Sequence, residues 1–407
     1  MPKGDKPHIG IFGRRNIGKS SFINKLTGQD VAIVADYAGT TTDPVKKSIE
    51  IHGVGPCIII DTAGIDDVGE VGLKRIQKTR EALKTIDLAI LLIADNQFGE
   101  PERSLIAQFE NLRTPFFIIH NKSDLAPLRE EVQQNLKTEC RTDILDFSCL
   151  KDDSIKEIVD LIKKYLPDSA FNNPTLIGDL VSYGDVVLLV TPIDVEAPKG
   201  RLILPQVQTI RDLLDNDCIT VILKERELEA YFRRFNVKPK LVITDSQVFL
   251  KVDAAVPKDI PMTSFSIIFA RYRGAFEEYL KGTPKISELQ DGDRILILES
   301  CSHHVAGDDI GRVKIPRWLT NFTGKKLEFE VVAGLDQPKH PLNTYSMVIQ
   351  CGGCMMSRKQ ITNRLQPAID AGVPVSNYGM TIAYCLGIYQ RAVVPFVKVS
   401  ETEMDYL

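Results

Sequence analysis

Two cysteines three positions apart stand out in a chain that has few of them. Cys351 and Cys354 lie in the stretch IQCGGCMM, and the 407 residues contain only eight cysteines. The two glycines between them leave the backbone free to bring both sulfurs to one point. A second pair of donors, Cys301 and His303, lies upstream in CSHH. Thiolate and imidazole donors of this kind bind zinc ions or iron–sulfur clusters.

Spacing alone leaves four interpretations of these thiols open. With His303, the three cysteines at 301, 351 and 354 would make a closed Cys₃His zinc site. Three thiolates with an exchangeable fourth position would equally suit a 4Fe–4S cluster. A redox dithiol normally begins a helix after the first strand of a thioredoxin-like unit, which this sequence lacks. The fourth interpretation is a cysteine pair that lies unliganded in a loop.

The first 168 residues predict a different chemistry. GRRNIGKS, Gly13–Ser20, follows the apolar strand His8–Phe12 and opens a helix. The backbone N–H groups of such a loop and the helix N-terminus bind phosphates. Lys19 would reach the β and γ oxygens, and Ser20 would bind magnesium. The predicted nucleotide contacts of this loop are Gly13, Asn16, Gly18, Lys19, Ser20 and Ser21.

Three later motifs each follow a strand and complete a guanine-nucleotide site. In DTAG, Asp61 would hold magnesium through water, and the Gly64 amide would sense the γ-phosphate. In NKSD, the Asp124 carboxylate would accept hydrogen bonds from guanine N1 and N2, a donor pair that adenine lacks. SCL lies where the loop behind the base is expected. The predicted base contacts are Asn121, Lys122, Asp124, Ser148 and Cys149.

With these four motifs, the N-terminal domain resembles the potassium-stimulated GTPases around the tRNA-modification GTPase (MnmE/TrmE) and Era-like proteins. The resemblance implies that Asn16 helps to coordinate a potassium ion. A monovalent cation beside the phosphates would do the electrostatic work of an arginine finger. The implied activity is slow hydrolysis of GTP to GDP and phosphate.

The same resemblance assigns the switch residues. AGTTTD, Ala38–Asp43, matches the first switch loop, where the magnesium-binding threonine corresponds to Thr41, with Thr40 as the register alternative. Ile65 stands where Ras-like proteins have the glutamine that orients water. Glu70 is the candidate to orient water, by approximate register with the family.

The whole chain predicts an α/β protein of three domains. Residues 1–168 form the GTP-binding domain, and the polar linker PDSAFNNP, Pro167–Pro174, follows it. Residues 175–260 alternate strands and helices without a catalytic constellation, which indicates a small parallel α/β scaffold or dimerisation domain. Residues 261–407 form a third α/β domain, in which the three cysteines of the thiol set lie just past strand ends.

This architecture resembles the HydF family, the maturation GTPases of FeFe-hydrogenase. That family's motif reads Cys-x-His, about fifty residues, then His-Cys-x-x-Cys. Here Cys301-Ser-His303 and Cys351-Gly-Gly-Cys354 match, and VSNYGM, Val375–Met380, resembles the family's C-terminal region. Gln350 stands where the family often has histidine, so His303 or His304 is left as a labile fourth ligand or a contact to the precursor.

The resemblance implies a homodimer that holds a 4Fe–4S cluster. Such proteins receive a two-iron precursor from radical SAM maturation proteins and pass it to apo FeFe-hydrogenase. The net charge of −4 gives no general attraction to nucleic acid or to an anionic membrane, and the scattered cysteines suggest the cytoplasm. The alternative interpretation is an RNA-modification or ribosome-assembly GTPase with a C-terminal zinc site.

Overall fold

The computed structural model describes the chain in ten segments. They are residues 6–28, 45–62, 64–65, 82–150, 155–166, 175–192, 202–300, 309–334, 336–353 and 356–397. Two compact units divide the chain, Met1–Asn173 and Pro174–Leu407. Among the described helices, none has the length and apolar character to cross a membrane. The predictions at Thr40, Thr41, Glu70, Cys301, His303, His304 and Cys354, and the linker 167–174, lie outside the described residues.

The first unit contains a six-stranded sheet in the order β2-β3-β1-β4-β5-β6. Its strands are β1 (His8–Gly13), β2 (Val45–Ile51), β3 (Gly55–Asp61), β4 (Leu88–Ile93), β5 (Phe116–His120) and β6 (Ile144–Asp146). Only β2 runs antiparallel to its neighbour. The described helices are α1 (Lys19–Thr27), α2 (Glu100–Asn111), α3 (Glu130–Cys140) and α4 (Ile155–Tyr165). The strands and helices predicted around the four motifs are therefore present.

The central strands of this sheet are continuous apolar runs because both of their faces are covered. In β1, Ile9 and Ile11 point into one core cluster, which contains Phe22 of α1. The alternate residue, Phe12, points into the cluster on the other face and packs edge-on against Phe109 of α2, with ring centroids 5.2 Å apart. This packing fixes the strand ends from which the nucleotide motifs emerge.

His8 makes the stability of the first unit depend on pH. Burial, with the charge of Lys46 adding to it, lowers the pKa of the His8 imidazole from 6.5 to about 4. The unfolded chain therefore binds a proton that the folded unit excludes between these pH values. The contribution of His8 to the free energy of unfolding is fully present above pH 6.5 and is lost as the pH falls toward 4. We expect a loss of about 3 kcal/mol from this group, at 1.36 kcal/mol for each pKa unit.

Hydrogen exchange of the β1 and β3 amides between pH 7.5 and 4.5, corrected for intrinsic exchange rates, measures this effect. The His8→Gln variant should lose this part of the pH dependence, while His52→Gln, at an exposed histidine, should keep it. If the stability measured by hydrogen exchange changed equally with pH in the two variants, another group would be responsible.

The second unit begins with a four-stranded parallel sheet in the order β10-β9-β7-β8. Its strands are β7 (Val186–Val190), β8 (Ile219–Leu223), β9 (Leu241–Thr244) and β10 (Met262–Ser264). The helices are α5 (Leu204–Asp215), α6 (Leu228–Arg234), α7 (Phe249–Ala255) and α8 (Phe265–Arg273). The alternation predicted for this part of the chain is present, and the short strand β10 extends the sheet by one strand.

A second parallel sheet follows in the order β12-β11-β13-β14. Its strands are β11 (Arg294–Glu299), β12 (Glu328–Ala333), β13 (Met347–Gln350) and β14 (Val375–Asn377). The helices are α9 (Phe276–Gly282), α10 (Ile315–Thr323), α11 (Arg358–Asp370), α12 (Tyr378–Cys385) and α13 (Tyr389–Val393). A turn of π-helix, Ile310–Lys314, precedes α10.

One hydrophobic core runs through both sheets of the second unit. It contains Leu188 and Val242 of the first of these sheets together with Ile297 and Ile349 of the second. Helix α8 packs Phe265, Ile268 and Phe269 into a further cluster against β7 and β9. The predicted boundary at 260/261 lies just before β10, which pairs with β9. The division into three domains stays a prediction.

Candidate functional site

The phosphate loop between β1 and α1 is tied to the NKSD motif. Asn121 Nδ2 donates to the Ile17 carbonyl at 2.8 Å, and Lys122 Nζ donates to the Asn16 carbonyl at 2.9 Å. Gly18 has φ +94°, and a Cβ there would lie 2.5 Å from Asn121 Nδ2. Glycine is therefore required where the end of β5 approaches the loop.

The lysine of the phosphate loop donates hydrogen bonds to the backbone of the same loop. Lys19 Nζ donates to the carbonyls of Gly13 at 3.0 Å and Arg14 at 2.8 Å. Ser20 and Ser21 are the second and third residues of α1, where helix N–H groups are unpaired and attract anions. A cation and a helix N-terminus thus lie at the same loop, an arrangement that binds phosphate.

The NKSD and SCL motifs meet where β5 and β6 end. Ser148 Oγ donates to Asp124 Oδ1 at 2.6 Å, which orients the carboxylate. The Cys149 thiol donates to Asn121 Oδ1 at 3.7 Å, and Ser123 N donates to the Phe147 carbonyl at 3.0 Å. NKSD and SCL are therefore in contact, as guanine recognition by both motifs requires.

The DTAG strand ends beside the phosphate loop. The Ile65 amide donates to the Gly13 carbonyl at 3.3 Å, and Thr62 Oγ1 donates to the Ile11 carbonyl at 2.6 Å. Burial raises the pKa of the Asp61 carboxyl above its usual value of 3.8, and the charges of Lys19 and Lys47 oppose the shift. A half-buried carboxylate near the loop lysine suits the binding of a cation that accompanies a nucleotide.

The thiol loop lies at the ends of β11 and β13. These strands are neighbours, with Leu298 opposite Gln350, and the Cys351 amide continues the ladder to the Leu298 carbonyl at 2.9 Å. Just beyond, the Cys351 sulfur accepts hydrogen bonds from Ser300 N at 3.1 Å and pairs with Ser300 Oγ at 2.9 Å. Ser300, the residue before Cys301 in the chain, therefore lies against Cys351 at this edge of the sheet.

Gln350 contributes to the same environment. Its side chain is 1% exposed, and Nε2 lies 3.2 Å from Ser300 Oγ, 3.3 Å from the Cys351 carbonyl and 3.5 Å from Cys351 Sγ. The carbonyl requires a donor, which assigns Nε2 rather than Oε1 to this side. Within the described residues, the buried Oε1 atom has no hydrogen-bond partner. This oxygen can still accept a hydrogen bond.

Polar side chains on the following helices flank this edge. Arg364 of α11 donates from Nη1 to the Glu299 carbonyl at 2.7 Å and from Nη2 to the Val332 carbonyl at 2.8 Å. Burial, with the charge of Cys351 adding to it, raises the pKa of the Tyr378 hydroxyl well above 10. Among the residues described, that buried hydroxyl has no hydrogen-bond partner.

The described donor set fits a thiolate ligand. The Ser300 amide donates to the Cys351 sulfur and the Gln350 amide lies near it, and such donors stabilise the charged sulfur that iron and zinc require. In the described segments, no three His, Cys, Asp or Glu side chains group as a metal site. Three of the predicted ligand positions, 301, 303 and 354, lie outside these segments.

Several residues at these sites make contacts that no sequence motif predicts. Arg14 of the phosphate loop forms a two-bond ion pair with the buried Glu102, at 2.7 and 2.8 Å. Ser300 contacts the Cys351 sulfur, and Arg364 donates to the Glu299 carbonyl at the end of β11, through pairings that span many residues. Arg14 lies in GRRNIGKS, Tyr378 lies in VSNYGM and Ser300 precedes a predicted ligand, but none of these positions predicts the observed partner.

Three family models match the chain. The description of the first is 50S ribosome-binding GTPase, and it covers residues 8–122. The second is the hydrogen maturase F dimerization domain, at residues 176–274. The third is the hydrogen maturase F tetramerization domain, at residues 277–395.

Curated relatives match the first unit. The tRNA modification GTPase MnmE of Lactobacillus acidophilus is 38% identical over 159 residues, which are 38% of this chain and 33% of that protein. GTPase Der of Campylobacter hominis is 34% identical over 160 residues, 39% of this chain and 34% of that protein. The chain thus spans about a third of the length of these relatives. The solved FeoB G-domain from Methanococcus jannaschii is 19% identical, covers 41% of this chain and 99% of its own, and has a TM-score of 0.31.

Proposed function

The chain belongs to the hydrogen maturase F family, and from that premise we propose that it is a GTP-hydrolysing scaffold for hydrogenase maturation. It holds a resident 4Fe–4S cluster in the second unit. Its cargo is a two-iron precursor, which it receives from radical SAM maturation proteins and delivers to apo FeFe-hydrogenase. The homologous GTPase domain supports the first part of this proposal, and the thiol loop supports the second.

GTP hydrolysis would use the residues around the phosphate loop. Lys19 would bind the β- and γ-phosphates, and Ser20 with Asp61 would hold magnesium. The Lys19 ammonium is already positioned by the carbonyls of Gly13 and Arg14, so little reorganisation is needed when phosphate binds. Asn16 would hold potassium beside the phosphates. Thr41, Gly64 and Glu70 complete the proposed catalytic set, and turnover is slow.

Guanine specificity would come from the pocket at the ends of β5 and β6. Asp124 would accept from guanine N1 and N2, while the hydroxyl of Ser148 holds the carboxylate at 2.6 Å. Asn121 and Lys122 would join the base pocket to the phosphate loop through Ile17 and Asn16. Cys149 would lie behind the base.

The cluster would be held by Cys301, Cys351 and Cys354, with His303 or His304 at the fourth position. When bound, it would supply an iron with an exchangeable coordination position. The chain's own contribution is to stabilise the thiolate of Cys351 through the Ser300 amide and to keep the Gln350 amide near it.

A homodimer is part of the proposal, and the match to a dimerization domain supports it. Strand β8 is the edge of its sheet. It exposes Ile219 by 55% and Ile222 by 46%, and Leu214 before it is 58% exposed. An exposed apolar edge strand pairs readily with another strand, so this edge suits contact between copies.

The observation that carries the proposal is the bond from Ser300 to the Cys351 sulfur. It brings the residue before Cys301 to the start of the CGGC loop, inside the part of the chain that matches hydrogen maturase F.

Anaerobic reconstitution of the full chain with iron and sulfide tests the proposal. We expect about four irons per chain, little zinc, an EPR signal after reduction and a dimer or larger assembly by light scattering. GTP hydrolysis in the same preparation should be slow and faster in potassium than in sodium chloride. One zinc per chain without iron would reject the scaffold and favour the RNA-related GTPase.

A further inference from the structure

Arg273, the last residue of α8, is one of the largest fully buried side chains, with 1% exposure. Its guanidinium lies 5.4 Å from the ring centre of Phe269 and 5.7 Å from that of Tyr272. Burial of a guanidinium is costly unless its donors are satisfied. The acceptors of these hydrogen bonds therefore indicate the role of this arginine.

The arginine donates to the loop that contains the second cysteine pair. Nη1 lies 3.1 Å from the Gly353 carbonyl and 2.9 Å from the Met356 carbonyl, eighty or more residues along the chain. The Met356 amide also donates to the Gly353 carbonyl at 3.0 Å and closes the turn. One guanidinium thus holds the residue before Cys354 and the second residue after it.

The loop has little freedom to adopt another shape at Gly353. This residue has φ +66°, and a Cβ there would lie 2.2 Å from Ile361 Cδ1 of α11. Gly353 is therefore pressed between α11 on one side and the arginine on the other. The described contacts thus hold the backbone at Gly353 and at Met356.

We propose that Arg273 is a positioning residue for the metal loop, through its bonds to the Gly353 and Met356 carbonyls. It fixes the backbone that follows Cys351, so that this thiol is already positioned when a metal binds. This inference rests on the proposed metal-binding function of the loop.

The bond also joins two modules. Arg273 lies within the match to the dimerization domain, and Gly353 and Met356 lie within the match to the tetramerization domain. Helix α8 makes a second contact of this kind, because Gly379 N donates to Ser266 Oγ at 3.1 Å. Metal binding would therefore stabilise the packing of α8, and by linkage that packing would raise metal affinity.

Full-length Arg273→Lys and Arg273→Met variants test the proposal. Lysine keeps the charge but loses the planar guanidinium, whose Nη1 donates to both carbonyls and whose face lies near Phe269 and Tyr272. Arg271→Lys is the matched control, because Arg271 lies one half-turn away on the same helix and pairs with Asp179 instead. The readouts are hydrogen exchange of the metal-free chain and titration of its thiols with Co²⁺, followed by the thiolate-to-metal absorption band.

In Arg273→Lys we expect faster exchange confined to residues 351–357 and Co²⁺ affinity lower by about 10- to 100-fold, as for other residues that support a metal ligand. Arg271→Lys should stay within about twofold of the unchanged chain. Unchanged exchange and Co²⁺ affinity in Arg273→Lys would overturn the inference. So would faster exchange of similar size in β7 and β9, because the arginine would then only support the core.

The two proposals fail in different ways. If the unchanged chain binds neither Co²⁺ nor iron, the metal-binding function is wrong, while the exchange experiment still tests whether Arg273 holds the loop. If Arg273→Met does not fold, as judged by its unfolding transition, the lysine variant decides.

Discussion

Replacing Cys351 by serine should abolish cluster binding. We expect the iron content after anaerobic reconstitution to fall from about four to below about one per chain, with loss of the EPR signal of the reduced cluster. The sulfur of Cys351 receives hydrogen bonds from the Ser300 amide at 3.1 Å and lies within 3.5 Å of Gln350 Nε2. These donors stabilise a thiolate, whereas a serine hydroxyl is far harder to deprotonate at neutral pH.

Cys385→Ser is the control for this substitution. Cys385 is also a free cysteine that is neither fully buried nor exposed, and burial raises the pKa of its thiol to about 12. It should therefore stay protonated and take no part in metal binding, so the iron content of Cys385→Ser should match that of the unchanged chain. Four irons retained in Cys351→Ser would remove Cys351 from the cluster site.

Asp124→Asn should exchange guanine specificity for xanthine specificity. The carboxylate would lose two hydrogen bonds to guanine N1 and N2, each worth about 1.5–3 kcal/mol for a charged acceptor. We therefore expect GTP affinity to fall by about 100-fold or more. The asparagine amide can donate to the extra carbonyl of xanthine, so binding of xanthosine triphosphate should improve. Competition against a fluorescent guanine nucleotide measures both affinities.

Ser148→Ala is the milder companion variant. It removes the 2.6 Å hydrogen bond that orients the Asp124 carboxylate and leaves the carboxylate itself in place. GTP affinity should fall by roughly tenfold, the effect of one hydrogen bond, and xanthine should gain nothing. Equal losses for GTP and xanthosine triphosphate in Asp124→Asn would indicate a damaged pocket rather than an exchanged recognition pattern.

Most strands and helices of this fold were predictable because their signals are local. The run His8–Phe12 before the phosphate loop is apolar and has the length of a strand. The same holds for the runs that precede NKSD and CGGC. Strands without such runs were missed. β2, at an antiparallel edge, has the sequence VKKSIEI, in which polar residues outnumber apolar ones. β10 has three residues whose place in the sheet depends on pairing with β9.

The site residues also differ in whether a local signal predicts them. Lys19, Asp124 and Cys351 were predicted because short motifs surround them. Arg273 was not, since an arginine in the sequence normally predicts a solvated position, and its two carbonyl partners lie eighty or more residues away. The role of Ser300 likewise depends on the pairing of β11 with β13, which places it against Cys351.

The parallel pairing of β11 with β13 also sets the order of events during synthesis. Ser300 and Cys351 are separated by 51 positions in the chain, and a ribosome that adds roughly 5–20 residues per second takes roughly 3–10 s to cover them. During this interval Cys301 has been made and its partner strand has not. In the proposed scaffold, Cys301 would therefore wait as an unliganded thiol, and metal would be inserted only after translation has passed β13.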